Sequence, residues 1–238
     1  MLLFYIRHGD PTYNPDQLTP LGERQAEAVA KRLSRFGLNK IYSSTSPRAM
    51  QTAQPTCEML KMELTQLDYM NECHPWLNLT YITSEGKRAW IPDNHEALKI
   101  LISPEMKQYG EKWYEHPSFK EYGYKAYLDS LDEKVDDLIA SHGYVHDRER
   151  RIYTSETPND DRIAIFAHAG FASAFFSSLL DIPYHEFSLH YDLSHSSMTV
   201  IEFRERGGLY FPKILTFSND SHLYSEGLPT AYNNRVRF

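Results

Sequence analysis

The sequence predicts an α/β protein built on a layered, mostly parallel sheet, and two observations support this prediction. Short apolar runs alternate with helical patterns along the chain, and this alternation is typical of parallel sheets covered by helices. The first apolar run, Leu2–Ile6, contains no charged residue, as is expected of a central strand buried on both faces. Apolar residues make up 41% of the 238 residues, which is an ordinary fraction for a chain with a sizeable core.

The remaining elements follow from helix-end signals and further apolar runs. Thr19 is a candidate N-cap, Pro20 suits the first helical position, and Gly37 is expected to end that helix. The second helix is expected to open at Ser46. The last two strands are joined by Gly207–Phe211 and are expected to form a hairpin, which gives the sheet an antiparallel edge. In chain order, the elements predicted after the first strand are a helix in 18–38, a strand in 39–44, a helix in 46–62, strands in 63–72 and 161–170, a helix in 170–182, and strands in 197–206 and 212–220.

Residues 73–161 are predicted to form an insertion that leaves the sheet after Glu72 and returns at Arg162. The segment is rich in Trp, Tyr and Pro and lacks a strong strand pattern. Because long insertions at strand ends of α/β folds are typical of lids, we expect a helical cap. Alternatively, the later part, Tyr124–Ser141, is another helix that covers the sheet, because its apolar stripe needs a surface to pack against. The chain is thus predicted to be one domain, 1–238, with a cap insertion at about 73–161.

Charge and composition limit the classes of partner. The formal net charge of −7 argues against a nucleic-acid partner, because binding a phosphate backbone requires a basic face. A small phosphorylated ligand needs only a local basic pocket. Two cysteines, Cys57 and Cys73, form no disulfide framework, and the amino terminus lacks a signal-peptide pattern, so we expect a cytoplasmic protein. No membrane partner is expected, since no segment approaches the roughly 18 apolar residues of a span. The oligomeric state stays open.

Charged side chains follow several predicted strands at their carboxyl ends, where α/β sheets bind ligands. Arg7 and His8 follow the first strand, Arg48 begins the helix after the second, Glu72 ends the third, and His168 follows a later strand. Guanidinium groups bind tetrahedral dianions through forked hydrogen bonds, and nearby helix amino termini add partial positive charge. Two guanidinium groups, two imidazoles and one carboxylate at one sheet edge therefore indicate a phosphate-binding site with groups for catalysis.

Each of these residues also has a purely structural interpretation when it is taken alone. A lone histidine at a strand end is more often structural than catalytic, and an isolated arginine is more often a surface residue. His142 and His146 are four residues apart, but they lie in a short polar segment without a third ligand. We therefore interpret them as a solvated pair and expect no metal site. Only the joint pattern supports a functional site.

The chain resembles the histidine phosphatase superfamily, also called the phosphoglycerate mutase-like family. The order of the motifs carries this resemblance, because the RHG triplet alone is weak. The matching residues are RHGDPTYN (Arg7–Asn14), LTPLGERQA (Leu18–Ala26), YSSTSPRAMQTA (Tyr42–Ala53), Glu72, AHAG (Ala167–Gly170) and the carboxyl-terminal SND and HL (Ser218–Leu223). The match spans residues 1–72 and 162–224. It implies a three-layer α/β/α fold and catalysis through a phosphohistidine intermediate.

The resemblance also implies a role for each matching residue. His8 resembles the nucleophile, while Arg7, Arg48 and His168 resemble the phosphate pocket. Glu72 resembles the proton donor of the first step, which serves as the base of the second step. No cofactor or metal is expected, because the two guanidinium groups and His168 supply the positive charge.

Asn14 matches the polar residue that often touches the transferred group in the family. Two departures from the family pattern bear on these roles. Pro11 stands where the family commonly has threonine, and Thr12 follows it, so the contact that the family makes from that position is not implied here. The proton-donor role of Glu72 has alternatives, because Asp68 and Glu85 lie close in sequence.

The expected reaction is hydrolysis of a small phosphomonoester. Phosphoglycerate mutases of the family carry a basic, glycine-containing stretch after the acid, whereas Asn71–Leu79 reads NECHPWLNL. The segment 73–161 holds 11 Lys and Arg against 17 Asp and Glu, and a polyphosphorylated substrate would favour the opposite sign. A mutase-type phosphotransferase remains the alternative. A second alternative is a non-catalytic domain that binds a phosphorylated ligand, although such a domain would be expected to lack His8 or Glu72.

Overall fold

An eight-stranded sheet lies at the centre of the computed structural model, which describes residues 1–230. The strands are β1 (Leu2–Arg7), β2 (Pro11–Tyr13), β3 (Asp16–Leu18), β4 (Lys40–Ser43), β5 (Leu64–Gln66), β6 (Thr80–Ile82), β7 (Arg88–Trp90), β8 (Val145–Asp147), β9 (Ile152–Thr154), β10 (Arg162–Ala167), β11 (Met198–Arg206) and β12 (Leu209–Asn219). The helices are α1 (Pro20–Ser34), α2 (Pro47–Leu60), α3 (Cys73–Asn78), α4 (His95–Leu101), α5 (Tyr124–Ala140), α6 (Ala169–Leu180), α7 (Tyr184–His190) and α8 (Ser221–Ser225). Short 3₁₀ turns lie at Asp68–Met70, Ile91–Asp93, Met106–Gln108, Gly110–Glu115 and Lys120–Tyr122.

The central sheet is parallel on one side of β1 and antiparallel on the other. Its strand order is β5-β4-β10-β1-β11-β12-β9-β8, and the small hairpins β2–β3 and β6–β7 lie outside it. β5, β4, β10 and β1 run parallel to one another, whereas each pairing from β1 through β11 to β8 is antiparallel. The expected mixed α/β fold is confirmed, with four strands on the antiparallel side where the sequence predicted one hairpin.

The side chains of β1 alternate between the two faces of the sheet. Leu3 and Tyr5 pack with residues of α5 and α6, while Phe4 and Ile6 pack with residues of α1 and α2. All four side chains are fully buried. A three-layer arrangement therefore requires an apolar residue at every position of such a strand. The prediction of a central strand is confirmed.

The first helix begins as the sequence predicts and ends slightly earlier. Thr19 is its N-cap, with the hydroxyl oxygen accepting a hydrogen bond from the Gly22 amide at 3.1 Å, and Pro20 is its first residue. α1 ends at Ser34, and Gly37 lies in the following loop with a φ of +66°. This left-handed conformation favours glycine, so Gly37 marks the turn into β4 rather than the last residue of the helix.

The third predicted strand is shorter than expected, and Glu72 does not end it. β5 ends at Gln66, and a 3₁₀ turn at Asp68–Met70 follows. Asn71 stabilises this turn, because its side chain donates to Thr45 Oγ1 at 3.0 Å and accepts from a following backbone amide at 3.1 Å. Local side-chain hydrogen bonds of this kind compete with strand pairing. Glu72 therefore stands beyond the turn, at the N-cap position of α3.

The predicted insertion, residues 73–161, contains two kinds of structure. Its first part comprises α3, the β6–β7 hairpin, α4 and 3₁₀ turns, and its core includes Trp113, whose ring stacks on Tyr124 with the centroids 5.3 Å apart. In its second part, α5 packs against α6 and buries Leu131, Val135 and Ile139, while β8 and β9 extend the sheet. The later helix is thus the sheet-covering helix that the sequence analysis kept as an alternative.

The boundaries of the single domain, 1–238, and of the cap, about 73–161, stay predictions. Residues 231–238 of that domain lie outside the described part of the chain. Within residues 1–230, no helix combines the length and the apolar character that crossing a membrane requires.

A charged network built around His146 joins β8 to α5 and to the end of α6. The His146 side chain is fully buried, and its Nδ1 and Nε2 lie 2.9 Å from Asp136 Oδ1 and 2.9 Å from Asp181 Oδ2. Arg148 pairs with Asp136 from the same side, and the imidazole stacks on Tyr153. His142 instead lies next to the Tyr42 hydroxyl. The interpretation as a solvated histidine pair is therefore wrong, because folding places His146 between two carboxylates.

The protonation state of His146 follows from its two partners. Burial lowers the pKa of His146, but the hydrogen bonds with Asp136 and Asp181 outweigh burial, so the pKa is raised above its ordinary value of 6.5. Both ring nitrogens face carboxylate oxygens, so both must donate, and only the imidazolium ion can do so. This network therefore stabilises the folded state in the protonated form.

We expect His146→Gln to remove a pH-dependent part of the free energy of unfolding. The contribution of a raised pKa is complete below the unfolded value of 6.5 and is lost as pH rises through the folded value. The difference between the wild type and the variant, on the order of 1 kcal/mol, should therefore be larger at acidic than at alkaline pH. Urea unfolding between about pH 5.5 and 8.5 measures it, with His95→Gln, an exposed histidine, as the control. A difference that does not change with pH would contradict a charged His146.

Candidate active site

His8 follows β1 directly and is held as a neutral imidazole. Its side chain is buried, and Nδ1 lies 2.8 Å from the carbonyl oxygen of Gly9, to which it donates. Its Nε2 accepts a hydrogen bond from Arg48 Nε at 3.3 Å, so this nitrogen carries the free electron pair. Burial lowers the pKa of His8 well below its ordinary value, and the nearby His168 and Arg7 lower it further.

Arg48 stands in the first turn of α2 and contacts residues from four other segments. Its Nη1 donates to Asp16 Oδ2 at 2.9 Å, and its Nη2 donates to Glu72 Oε2 at 3.0 Å and to His168 Nδ1 at 3.0 Å. Together with Nε on His8, all three nitrogens of the guanidinium group have partners. The Arg48 side chain is only 10% exposed, so the charge is buried and compensated by two carboxylates.

His168 occupies the N-cap position of α6, immediately after β10. Because Nδ1 accepts from Arg48, the proton of the neutral ring resides on Nε2, which donates to Ser44 Oγ at 2.8 Å. Burial lowers the pKa of His168 well below its ordinary value, and the charges of Arg48 and Arg7 add to this effect. Parallel pairing of β10 with β1 and β4 brings His168 next to His8, with the ring centroids 5.1 Å apart.

Glu72 reaches the cluster from the loop before α3. Its Oε1 accepts from the Gly170 amide in the first turn of α6 at 2.9 Å, while Oε2 lies 3.6 Å from His168 Nδ1. Gly170 has no room for a side chain, since a Cβ there would lie 2.6 Å from the ring of Trp90 and 3.0 Å from Glu72. The glycine of the AHAG motif therefore permits the close approach of both groups.

The two alternative carboxylates near Glu72 in sequence lie elsewhere. Asp68 contacts His74 and Thr45 and is largely exposed, while Glu85 pairs with Lys87 at the surface. Among the three candidates, Glu72 is the one that lies next to the buried imidazoles.

Arg7 is the last residue of β1 and is held from the antiparallel side of the sheet. Its Nη1 donates to the Leu193 carbonyl, and its Nη2 donates to His195 Nε2 at 2.8 Å. Burial, followed by the charge of Arg7, lowers the pKa of His195 to about 4, so this imidazole is neutral and can accept. Arg7 is 6% exposed, and its buried Nε has no hydrogen-bond partner among the described residues.

His195 was not among the residues that the sequence singled out. The predicted site residues stand at the carboxyl ends of strands, whereas His195 precedes β11. Because β11 runs antiparallel to β1, its amino-terminal end lies at the same sheet edge as the carboxyl end of β1. The position of His195 just before a strand that runs antiparallel to β1 is the feature of the sequence that could have identified this residue.

The structure does not bring Asn14 to this cluster. Asn14 lies exposed in the turn between β2 and β3, and its side chain makes no hydrogen bond with the other described site residues. The same hairpin contributes Asp16, which pairs with Arg48, and Tyr13, whose ring centroid lies 5.3 Å from Arg48 Cζ. These two contacts of the hairpin were also not predicted.

The charge of the cluster favours an anion over a cation. One ligand atom each of His8, Glu72 and His168 lie within 4.8 Å of one another, a spacing that could hold a metal ion. The guanidinium group of Arg48, however, lies against all three side chains, and Arg7 is close by. A metal cation would be repelled by these charges, whereas a phosphate dianion would be attracted.

A cavity of about 430 Å³ opens beside the cluster, with Arg7, Glu72 and Gly170 in its wall. A second cleft, of about 510 Å³, adjoins it and contains Arg48 and Asp16. Glu72, Tyr13 and Trp90 line both spaces, so the Glu72 carboxylate is reached from either one.

The sequence pattern of the histidine phosphatase superfamily (branch 1) matches residues 3–211 of the chain. The match spans most of the 238 residues, and the protein therefore belongs to this family. The expected family is confirmed, and with it an enzyme of the histidine phosphatase class.

Individual relatives agree with this assignment. The chain is 27% identical to a probable phosphoglycerate mutase of Yersinia enterocolitica over 155 residues, which cover 59% of this chain and 69% of that protein. Phosphoserine phosphatase from Entamoeba histolytica, solved with 3-phosphoglyceric acid, is similar in structure with a TM-score of 0.57 at 20% identity, covering 93% of this chain and 98% of that one. A mycobacterial glucosyl-3-phosphoglycerate phosphatase, solved with inorganic phosphate, is similar in structure with a TM-score of 0.58 at 18% identity. The similarity covers 93% of this chain and 98% of that one. At such identities the two structures show a shared fold.

We expect the cluster to bind inorganic phosphate through Arg48. Loss of charged hydrogen bonds in Arg48→Ala should weaken phosphate binding by about 10- to 100-fold. Isothermal titration calorimetry measures the dissociation constant, and Arg35→Ala removes an exposed arginine of the α1 end as the control. Equal affinities of the wild type and Arg48→Ala, both folded by circular dichroism, would place the anion elsewhere.

Proposed function

We propose that the protein is a metal-independent phosphatase that hydrolyses a small phosphomonoester through a phosphohistidine on His8. The observation that carries this proposal is the state of His8. Its Nδ1–H is held by the Gly9 carbonyl, and the electron pair on Nε2 points to Arg48 within a pocket of positive charge. A neutral, oriented imidazole beside two guanidinium groups is suited to attack phosphorus.

The phosphate group would bind against Arg7, Arg48 and His168, and His168 would donate to it once Nδ1 has taken up a proton. Its oxygens would replace Asp16 and Glu72 as acceptors for Arg48, and would take up the unpartnered Nε–H of Arg7. Forked guanidinium donors match the tetrahedral oxygens and stabilise the charge that develops in phosphoryl transfer. Because protein side chains supply this charge, the mechanism requires no metal ion.

The reaction then proceeds in two displacements. His8 Nε2 attacks phosphorus in line, the bond from phosphorus to the leaving oxygen breaks, and the protonated carboxyl of Glu72 gives its proton to that oxygen. A water molecule next attacks the phosphohistidine while the Glu72 carboxylate takes its proton. The phosphorus–nitrogen bond breaks, inorganic phosphate leaves, and neutral His8 is restored.

Two alternatives are weaker on the residues present. A mutase-type phosphotransferase is suggested by the Yersinia relative, but the segment 73–161 has more acidic than basic residues and offers little attraction to a second phosphate. A non-catalytic binding domain would not need His8 and Glu72 in reacting positions. The physiological substrate, a cytoplasmic location and the absence of nucleic-acid and membrane partners stay predictions.

His8→Ala should abolish turnover of p-nitrophenyl phosphate, because the variant has no nucleophile. The rate is expected to fall by at least about a thousandfold, which corresponds to an activation barrier raised by about 4 kcal/mol or more. Rates are measured with chelator present, and acid-labile, base-stable phosphate is trapped on the wild type. His95→Ala, which changes an exposed histidine, serves as the control. Ordinary turnover by His8→Ala would refute the phosphohistidine mechanism.

Glu72→Gln should slow alkyl phosphates far more than p-nitrophenyl phosphate in the first step. The alkoxide is a poor leaving group and needs the proton from Glu72, whereas p-nitrophenolate leaves without it. Breakdown of the phosphohistidine should also slow, because water loses its base. Single-turnover rates for both substrates measure these effects, and Glu85→Gln, at the surface, is the control. Equal losses for both substrates with normal breakdown would assign the acid to another carboxylate, with Asp10 the first to test.

A further inference from the structure

We propose that the alcohol portion of the substrate carries an ammonium group, which binds between Asp93 and Asp192 in the cavity beside Glu72. The substrates would then be phosphate monoesters of amino alcohols, with a primary or a quaternary nitrogen. This inference rests on the proposed phosphatase function, since it assigns the class of alcohol that leaves.

The position of the cavity makes it the site of the leaving alcohol. Its wall includes Arg7, from the expected phosphate pocket, and Glu72, from which the leaving oxygen would take its proton. Arg7 is more than nine-tenths buried, and its Nε has no partner within residues 1–230, so an acceptor on a bound ligand would complete its hydrogen bonds. A substrate with phosphate on Arg7 and its ester oxygen near Glu72 can therefore extend into this cavity of about 430 Å³.

The charges around the cavity are complementary to a cation. Beyond Arg7 and Glu72, its charged lining consists of Asp93 and Asp192, accompanied by the imidazole of His190. Arg7 is the only lysine or arginine of the described residues in this wall. Asp93 and Asp192 border the same cavity, and the pKa of Asp93 is raised by burial and further by the negative charge of Asp192, a sign of repulsion between the two carboxylates. A cation between them would relieve this repulsion.

Aromatic side chains complete the lining. Tyr13, Trp90, Tyr184 and Tyr191 border the cavity, and aromatic rings attract cations through their faces. Trp90 is fixed in place by an edge contact with Trp76, at a centroid distance of 5.1 Å. Carboxylates together with several aromatic rings suit an ammonium group. A leaving alcohol with its own carboxylate or second phosphate would instead be repelled.

Phosphocholine and 3,3-dimethylbutyl phosphate form a matched pair that tests this inference. The two esters have the same shape and differ only in a quaternary nitrogen that replaces a carbon. We expect the kcat/KM of the wild type to be about tenfold higher for phosphocholine than for 3,3-dimethylbutyl phosphate. This difference is what one aromatic and two carboxylate contacts near the surface would contribute. Phosphoethanolamine compared with propyl phosphate extends the test to a primary ammonium group.

Substitutions then assign the preference to the two carboxylates. Asp93→Asn and Asp192→Asn should each reduce the ratio of kcat/KM values for the matched pair, and the double variant should abolish the preference. Glu63→Gln, which changes an exposed carboxylate near β5, should leave the ratio as in the wild type. An equal kcat/KM for both esters, or a preference that survives the double variant, would overturn the inference.

A binding measurement separates this inference from the proposed function. Calorimetry with folded His8→Ala compares the dissociation constants of the two esters without turnover. Tighter binding of phosphocholine supports the ammonium site even if the wild type hydrolyses neither these esters nor p-nitrophenyl phosphate, a result that would refute the phosphatase function alone. Equal dissociation constants combined with His8-dependent hydrolysis would refute the ammonium site and leave the phosphatase function in place.

Discussion

The buried guanidinium group of Arg48 is the constraint on which the rest of the site depends. A buried cation is costly unless acceptors surround it, and here they come from Asp16, Glu72, His168 and His8 on four separate segments. The β2–β3 hairpin, the loop before α3 and the first turn of α6 are thereby drawn to one point. The same ion pairs keep the site charged and ordered, and they are the contacts that an anionic ligand would replace.

The mixed character of the sheet completes the site from the other side. The parallel strands β1, β4 and β10 present His8, the start of α2 and His168 at one edge. The antiparallel strand β11 brings the segment before it to that same edge, where Leu193 and His195 hold the two terminal nitrogens of Arg7. The position of the Arg7 guanidinium group, whose Nε has no partner within residues 1–230, is therefore a consequence of strand direction and not of the motif that contains Arg7.

The part of the chain after Glu72 connects the core to the entrance of the site. Trp90, at the end of β7, packs where a Cβ on Gly170 would lie, so the small hairpin is seated on the first turn of α6. Many residues that line the cavity beyond Glu72 come from this hairpin, from the 3₁₀ turn after it, and from α7 and the two residues that follow it. The proposed phosphate pocket thus lies at the strand ends, while the cavity proposed for the leaving alcohol is lined largely by the segments around them.

The sequence by itself determined the layered α/β fold, the central β1 and the four residues Arg7, His8, Arg48 and His168 at the sheet edge. These follow from local patterns, because apolar runs, helix caps and residues directly after strands are properties of neighbouring positions. The tertiary structure alone decided the partners of Arg48, the contact of His195 with Arg7, the short β5 before Glu72 and the burial of His146. Each of these depends on residues distant in sequence, or on local hydrogen bonds that compete with strand pairing. Strand direction and side-chain partners become fixed only when the chain folds, so no periodicity in the sequence records them.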